Sequence, residues 1–502
     1  MVILNWFKDF IVKVVTALND VFWGELVVLD FNDGETQFSL TLLIVLLIGA
    51  GIFFTIKLKG IQFSMFPEMI RNVTKKQNAK EKDAISGWQA LMVATATRVG
   101  MGNLAGAVAA ITFGGPGAVF WMWVTALVGA SSAFVETVLA QIYKEKDPLY
   151  GGWRGGPAYY INRCRLISSI KSEDAFVSDL DKEANIVSTD GKSHFKSGGI
   201  YKIIAILFAI SGLICWAGIS QVVGNSVTSS FQHSFGISPW ITAAVLTILG
   251  AIIVLRKRAT VKVLDIMVPI MACAYILMTI FIIIKNITVL PSMFADVFAS
   301  AFGAREMVSG GLGAVIMNGI KRGLFSNEAG SGSAPCAGAS ADVEHPVQQG
   351  LIQALGVYID TIVICSCTAF VVLLTPKTLL ADNQGMDLLQ IAMEYHVGKF
   401  GGIFIAIILF LFSFSTFLGI LYYARCNVAF LWGDTFKAQT AYKIFALAML
   451  FIGGIAAYEF VWMLGDLGIA LMTLFNMLVI VPLIGQVSDA LKDYKKKFIG
   501  KR

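Results

Sequence analysis

Charge is scarce in this chain. Of 502 residues only 14% are charged, against 56% hydrophobic, where an average soluble domain carries roughly 25% charged residues. A soluble protein of this size could not cover its surface with so few ions. Cysteine is also sparse: there are seven, Cys164, Cys215, Cys273, Cys336, Cys365, Cys367 and Cys426. Their spacing matches neither a disulfide framework nor a zinc site. Cys365 and Cys367 are two apart, so on a helix they point to different faces. Only four histidines occur, His194, His233, His345 and His396. They fall in separate segments, which argues against a histidine-centred catalytic site. No GxxxxGK[ST] run is present, so ATP-driven transport has no phosphate loop to work with. The net charge of +6 is small and dispersed, which gives nucleic acid no basic patch to bind.

What is present is hydropathy. Mean hydropathy is +0.73, and the chain reads as an all-α polytopic membrane protein. About 20 apolar residues are needed to span a bilayer. Eleven stretches meet that length, at about 38–58, 88–112, 116–143, 200–230, 238–256, 262–287, 308–335, 348–375, 400–424, 438–457 and 460–486. Before them, residues 1–37 read as an external amphipathic segment, with Trp6, Phe7, Phe10, Ile11 and Val14 near one helical face. Lys8, Asp9, Lys13 and Asp20 interrupt its apolar run, so it reads as interfacial rather than spanning.

Lys and Arg placement orients these spans. The segments on the C-terminal side hold 30 basic residues, those on the other side 6, and Arg98, Lys321 and Arg322 lie within spans. The asymmetry places the N-terminus outside and the C-terminus in the cytoplasm. A polar cytoplasmic loop is expected at 144–199, and the tail 487–502 is basic enough to contact anionic lipid.

Two spans are unlike the others. ATATRVGMGNLAGAVAAITFGGPG and GGLGAVIMNGIKRGLFSNEAGSGSAP carry repeated Gly and polar residues. Gly costs helix stability about 1 kcal/mol per residue, and backbone groups freed at membrane depth must find partners. Close helix packing would use the same glycines. Arg98, Lys321, Arg322 and Glu328 sit in or beside these segments. Pairing with one another, or with Glu136 and Asp360, is the structural expectation for the cations. Setting 38–58 aside as a peripheral helix leaves five spans in 88–287 and five in 308–486. Each half begins with its broken helix, and an odd number of spans inverts one half against the other. Broken helices at matching positions of inverted halves mark a transporter binding site. Freed N–H groups suit a carboxylate, and freed carbonyls suit a hard cation such as Na⁺.

At these residues the chain resembles the alanine or glycine:cation symporter family, the sodium:alanine symporters. The matching stretches are RVGMGNLAGAVAAI, GGPGAVFWMWVTALVGA, GGWRGGPAYYI, GIKRGLFSNEAGSGSAP with HPVQQGLIQALGVYIDT, and FSFSTFLG followed by YY. The resemblance implies a LeuT-like 5+5 inverted repeat with one extra N-terminal helix. It implies uptake of a small neutral amino acid driven by Na⁺, or H⁺, across a prokaryotic inner membrane, with no further cofactor and with a monomer sufficient for the work. By matching motif, Met101, Gly102 and Asn103 would cradle the substrate carboxylate, and Phe325 would line the pocket. The carbonyls of Ala96 and Val99 with the hydroxyls of Ser415 and Thr416 would hold sodium. The same hydroxyls could instead bond back to the preceding helical turn. Val223 stands where the family carries Gln, Ile420 where it carries Trp, Arg425 where it carries Glu, and Leu421 where it carries a small residue. A wider, less polar pocket for a larger apolar amino acid follows. A channel or uncoupled facilitator is the other functional class, but no filter repeat is visible.

Overall fold

The computed structural model describes residues 2–24, 26–31, 36–75, 83–100, 102–163, 199–256, 259–303, 311–380, 385–456 and 458–500. Almost all regular structure in these residues is helical. The chain opens with α1 (Val2–Trp23) and a hairpin pairing Val27–Phe31 with Thr36–Leu40. Then follow α2 (Leu42–Lys57), α3 (Ile61–Ser64), α4 (Phe66–Thr74), α5 (Gly87–Arg98), a π-helical turn (Gly102–Gly106), α6 (Ala107–Gly114), α7 (Gly117–Ile142) and α8 (Pro157–Arg163). The second stretch holds α9 (Ile200–Phe235), α10 (Pro239–Val254), α11 (Ala259–Lys285) and α12 (Leu290–Ala301). The remainder comprises α13 (Gly311–Asn327), α14 (Pro335–Ser340), α15 (Pro346–Val357) running on through a π-helical Tyr358–Cys365 into α16 (Ser366–Leu373), α17 (Lys377–Leu380), α18 (Gly385–Val397), α19 (Lys399–Trp432), α20 (Phe436–Ile455), α21 (Tyr458–Ile480) and α22 (Ile484–Tyr494).

Seven helices are long and apolar enough to cross a membrane: 117–142, 200–235, 260–285, 346–373, 399–432, 436–455 and 462–480. Shorter apolar helices at 42–57, 102–114 and 239–254 fall on three further expected spans. The last expected span is the interrupted pair α13 and α14. Many large apolar side chains face outward, among them Ile248 at 60%, Ile266 at 66% and Leu277 at 67% exposed. A helix surface of that kind fits lipid, not water.

Local chemistry sets the helix starts. Ser86 Oγ accepts from Gln89 N–H at 3.2 Å, and Gln89 Oε1 accepts from Ser86 N–H at 3.1 Å, closing a capping box at the start of α5. His345 does the same for α15: its Nδ1 accepts from Val347 N–H at 3.2 Å, while Gln348 Oε1 accepts from His345 N–H at 3.3 Å. Pro346 occupies the first helical position, where a missing N–H costs nothing.

Three details refine the sequence reading. The span placed at 38–58 starts as a helix only at Leu42, because Thr36–Leu40 is a strand bonded to Val27–Phe31. The aromatic Gly-rich part of the 144–199 loop is not surface chain. Tyr159 and Tyr160 are buried, with Tyr160 hydroxyl donating to Asn476; the polar remainder, 164–198, lies outside the described residues. On α1 the buried face carries Val15, Phe22 and Trp23, whereas Val14 is 41% exposed. The side chains of Trp6, Phe7, Phe10 and Ile11 lie outside the described residues.

The core is organised by long helices. α9 packs along α19, α20 and α21, and α7 packs against α13 and α15. α5 lies among α11, α15 and α19. The two interrupted helices therefore pack deep in the bundle around their breaks.

Candidate functional site

The first break opens at Val99 and Gly100. α5 stops at Arg98, and Gly100 N–H turns off the helix to donate to the side-chain oxygen of Asn103 at 3.0 Å. The second break falls at Glu328–Ala334, between α13 and α14. Its backbone takes positive φ at Glu328 (+56°), Gly330 (+87°) and Gly332 (+82°). The residue between α13 and the two glycines thus carries a side chain in a conformation that L-residues resist by about 1–2 kcal/mol.

The two breaks touch. A Cβ placed on Gly102 would stand 2.8 Å from Ser326 Cα and 3.2 Å from Phe325 carbonyl oxygen. Gly is the only residue that permits this approach. Asp360, on the π-helical continuation of α15, fastens the contact. It accepts from Asn103 Nδ2 at 2.6 Å, from Ser326 Oγ at 2.9 Å and from Thr361 Oγ1 at 2.7 Å.

The carbonyl side is equally well defined. Ser415 Oγ lies 3.4 Å and Thr416 Oγ1 3.2 Å from Ala96 carbonyl oxygen. Both hydroxyls also bond back to Phe412 carbonyl, at 2.8 and 2.9 Å. Helical back-bonding and convergence on Ala96 are thus both present. Gly100 is part of this corner, since a Cβ there would meet Thr416 Oγ1 at 1.8 Å. Three oxygens from α5 and α19 make a set suited to a hard cation. Val99 is fully buried beside them.

The structure distributes the other expected residues unevenly. Gly102 and Asn103 sit where the breaks meet, and Phe325 lies in the last turn of α13, one residue before Ser326. Met101 lies outside the described residues. Asn103 is engaged at both ends, by Gly100 and by Asp360. Val223 and Ile420 are fully buried on α9 and α19. Ile420 follows Gly419, where a Cβ would lie 2.4 Å from Thr97 Cγ2 on α5, so it belongs to the same seam. No contact places Val223 against the breaks.

The intramembrane cations do not pair as expected. Lys321 and Arg322 bind neither Glu136 nor Asp360: both bind Asp466, at 2.7 and 3.2 Å. Arg322 also lies over the Trp462 ring at 4.5 Å, and Lys321 over Trp23 at 5.0 Å. Phe325 packs against Trp462 with ring centroids 4.9 Å apart and the rings tilted by 49°. This cluster seals one side of the breaks. Arg98 donates instead to the carbonyl and side-chain oxygens of Gln353, each at 3.2 Å.

On the opposite side a cavity of about 570 Å³ opens, lined by Gln89, Arg256, Lys262, Ser340, Tyr422 and Arg425 among others. It reaches Leu421 and Ser340, next to Ile420 and the end of α14. Arg425 is held over the Tyr422 ring at 3.8 Å and donates to Tyr422 hydroxyl at 2.8 Å.

A helical bundle in which two interrupted helices touch has the make-up of a secondary membrane transporter. The chain belongs to the sodium:alanine symporter family, whose model matches residues 25–501. It is 38% identical to a probable sodium/glutamine symporter of Bacillus subtilis, GlnT, over 96% of this chain and 91% of that protein. It is 32% identical to the sodium/alanine symporter AgcS of Methanococcus maripaludis, over 97% of each. A sodium/proton-dependent alanine carrier protein of a Bacillus species, strain PS3, is 33% identical over 86% of this chain and 92% of its own length. The family is one of transporters, not enzymes.

Proposed function

We propose that the chain is a symporter coupling inward flow of Na⁺, with H⁺ as the alternative coupling ion, to uptake of a small neutral amino acid by alternating access. The observation that carries this reading is the corner where Ala96 carbonyl faces the Ser415 and Thr416 hydroxyls, beside two breaks in contact at Gly102 and Ser326. Sodium occupies that corner, with Val99 carbonyl as a further ligand. The substrate carboxylate is received at the start of the 102–106 turn by Met101, Gly102 and Asn103, and Phe325 closes over the substrate.

The architecture we assign is eleven spans, 38–58 being peripheral and 88–287 and 308–486 forming two inverted halves, in a prokaryotic inner membrane. The N-terminus lies outside and the tail from 487 in the cytoplasm. The cavity flanked by Arg256 and Lys262 then opens inward, and the Lys321–Arg322–Asp466 cluster closes the outer side. One closed face and one open face favour a carrier over a channel, because a channel needs both faces open at once.

The relatives named for glutamine and for alanine frame the substrate. Ile420, in the seam with α5, leaves more room than a Trp would, so we assign the pocket to neutral amino acids up to the size of leucine or methionine. Uptake of a radiolabelled amino-acid panel into proteoliposomes, with and without a Na⁺ gradient, tests the reading. Accumulation that follows neither a Na⁺ nor an H⁺ gradient for any member of the panel would refute it.

A further inference from the structure

Three carboxylates and one guanidinium are shut away around the second break. Glu136, Asp360 and Arg98 have no exposed surface, and Glu328 has 4%. Arg98 interacts electrostatically with all three acids. Three negative charges against one positive leave −2, and each uncompensated ion in a low-dielectric interior costs several kcal/mol. A sodium ion at Ala96, Ser415 and Thr416 brings the total to −1. One positive charge is still missing.

The hydrogen bonds indicate where it belongs. Glu136 is held on both oxygens, by Gly330 N–H at 3.2 Å and by Asn476 Nδ2 at 2.8 Å. Asp360 is also held on both, by Asn103 on one and by Ser326 and Thr361 on the other. A proton on either acid would face a donor. Glu328 differs. Both its bonds fall on Oε2, from Ser333 Oγ at 2.8 Å and Thr97 Oγ1 at 3.3 Å. The Thr97 hydroxyl is shared with Ala94 carbonyl at 2.8 Å and Tyr423 hydroxyl at 2.7 Å, and it has one hydrogen to give. Among the described residues no donor reaches Glu328 Oε1. The positive φ at Glu328 adds a second mark, since strain of this kind collects at functional positions.

We propose that Glu328 Oε1 binds a second coupling cation, a proton, that crosses with the substrate and Na⁺. This rests on the symport reading above. An O–H bond forms at Oε1 with a proton taken from water on the outer side, and breaks to give the proton to water on the inner side; no electrons are exchanged. The groups facing Glu328 are Arg98 on α5, Asp360 beyond α15, Tyr423 on α19, Cys215 on α9 and Cys336 on α14. The tyrosine and the thiols are ordinarily neutral near pH 7, so Arg98 and Asp360 set the local field. Thr97, which bonds Glu328, directly follows Ala96 on α5, so a single peptide unit separates the proton's anchor from the sodium corner.

The test uses the full chain in proteoliposomes with a trapped pH dye, the membrane potential clamped, and L-alanine or L-glutamine as the probe. Wild-type protein acidifies the lumen as it takes up substrate. Glu328→Gln lowers acidification per substrate at least tenfold, and its remaining uptake no longer varies between mildly acidic and mildly alkaline pH, which a purely structural role would not produce. Ser333→Ala removes a donor that supports the carboxylate form, and so moves the pH midpoint of uptake upward. Equal acidification per substrate in Glu328→Gln would overturn the proposal. So would an unmoved midpoint in Ser333→Ala, which decides the matter if Glu328→Gln fails to reconstitute. Wild-type accumulation on Na⁺ with no change in lumen pH would overturn it too, including the case where a second Na⁺ enters instead, while leaving the symport reading intact. Absence of accumulation on any gradient would refute that reading itself.

Discussion

Replacing Gly102 by Ala adds one methyl group at the point where the two interrupted helices meet. The new Cβ would lie 2.8 Å from Ser326 Cα, while ordinary contact begins at 3.4 Å. The helices must part by about 0.6 Å, and the opposing atoms are backbone, which cannot rotate aside. Overpacking of this kind costs about 1–3 kcal/mol. Because 1.4 kcal/mol is a factor of ten, the closed apposition of the breaks becomes roughly 5- to 140-fold less populated. The parting also pulls Asn103 and Ser326 away from their shared partner, Asp360. Initial rates of amino-acid uptake in proteoliposomes should fall within that range. Thermal unfolding in detergent, followed in parallel, separates loss of the site from loss of the fold. Uptake equal to wild type by a fully folded Gly102→Ala protein would show that the breaks need not touch, and the site would have to be sought elsewhere.

Thr416→Val keeps the shape of the side chain but removes an oxygen from the sodium corner. A bond to a charged group is worth about 1.5–3 kcal/mol, so half-maximal uptake should need roughly 10- to 140-fold more Na⁺, measured by titrating the gradient. Asn103→Ala should abolish uptake in protein that still elutes as a single folded species; full activity would remove Asn103 from the carboxylate cradle. Ile420→Trp should weaken competition by leucine or methionine while sparing alanine, and equal loss for all three would contradict the wide pocket. At the start of α15, burial makes the His345 ring harder to protonate than usual, despite the neighbouring Asp493. The folded state therefore binds fewer protons than the unfolded one, and stability contributed here is lost as pH falls through the ordinary histidine value near 6.5. Hydrogen exchange in Ile484–Tyr494 should accelerate below that pH.

The breaks were legible because Gly and polar residues stand out inside apolar runs, and periodicity needs no tertiary information to register them. Ser415 and Thr416 were reachable only through family motifs, since hydroxyls in helices are ordinarily bonded to the previous turn, and here they are that as well. The hairpin before α2 escaped because Phe38 and Leu40 adjoin the apolar run of α2, so hydropathy carried the span back across the end of the strand. The partner of Lys321 and Arg322 could not be read from spacing. Asp466 is over 140 positions away, and a lone Asp in an apolar run does not say which cation it meets. Asp360 was visible as an intramembrane acid, but its role in joining the two breaks depends on how α15 lies across them.

The aromatic cluster on the sealed face has an optical consequence. Trp462 lies between Arg322 and Phe325, and Trp23 lies under Lys321. α1 is tied to the same place by Asn19 Nδ2 donating to Met463 carbonyl at 2.9 Å. Two of the ten tryptophans therefore report on one closure, each stacked against a cation that would leave when the face opens. The protein carries its own fluorophores in that cluster, and emission from a variant retaining only Trp23 and Trp462 would follow the cluster through the cycle without an attached dye.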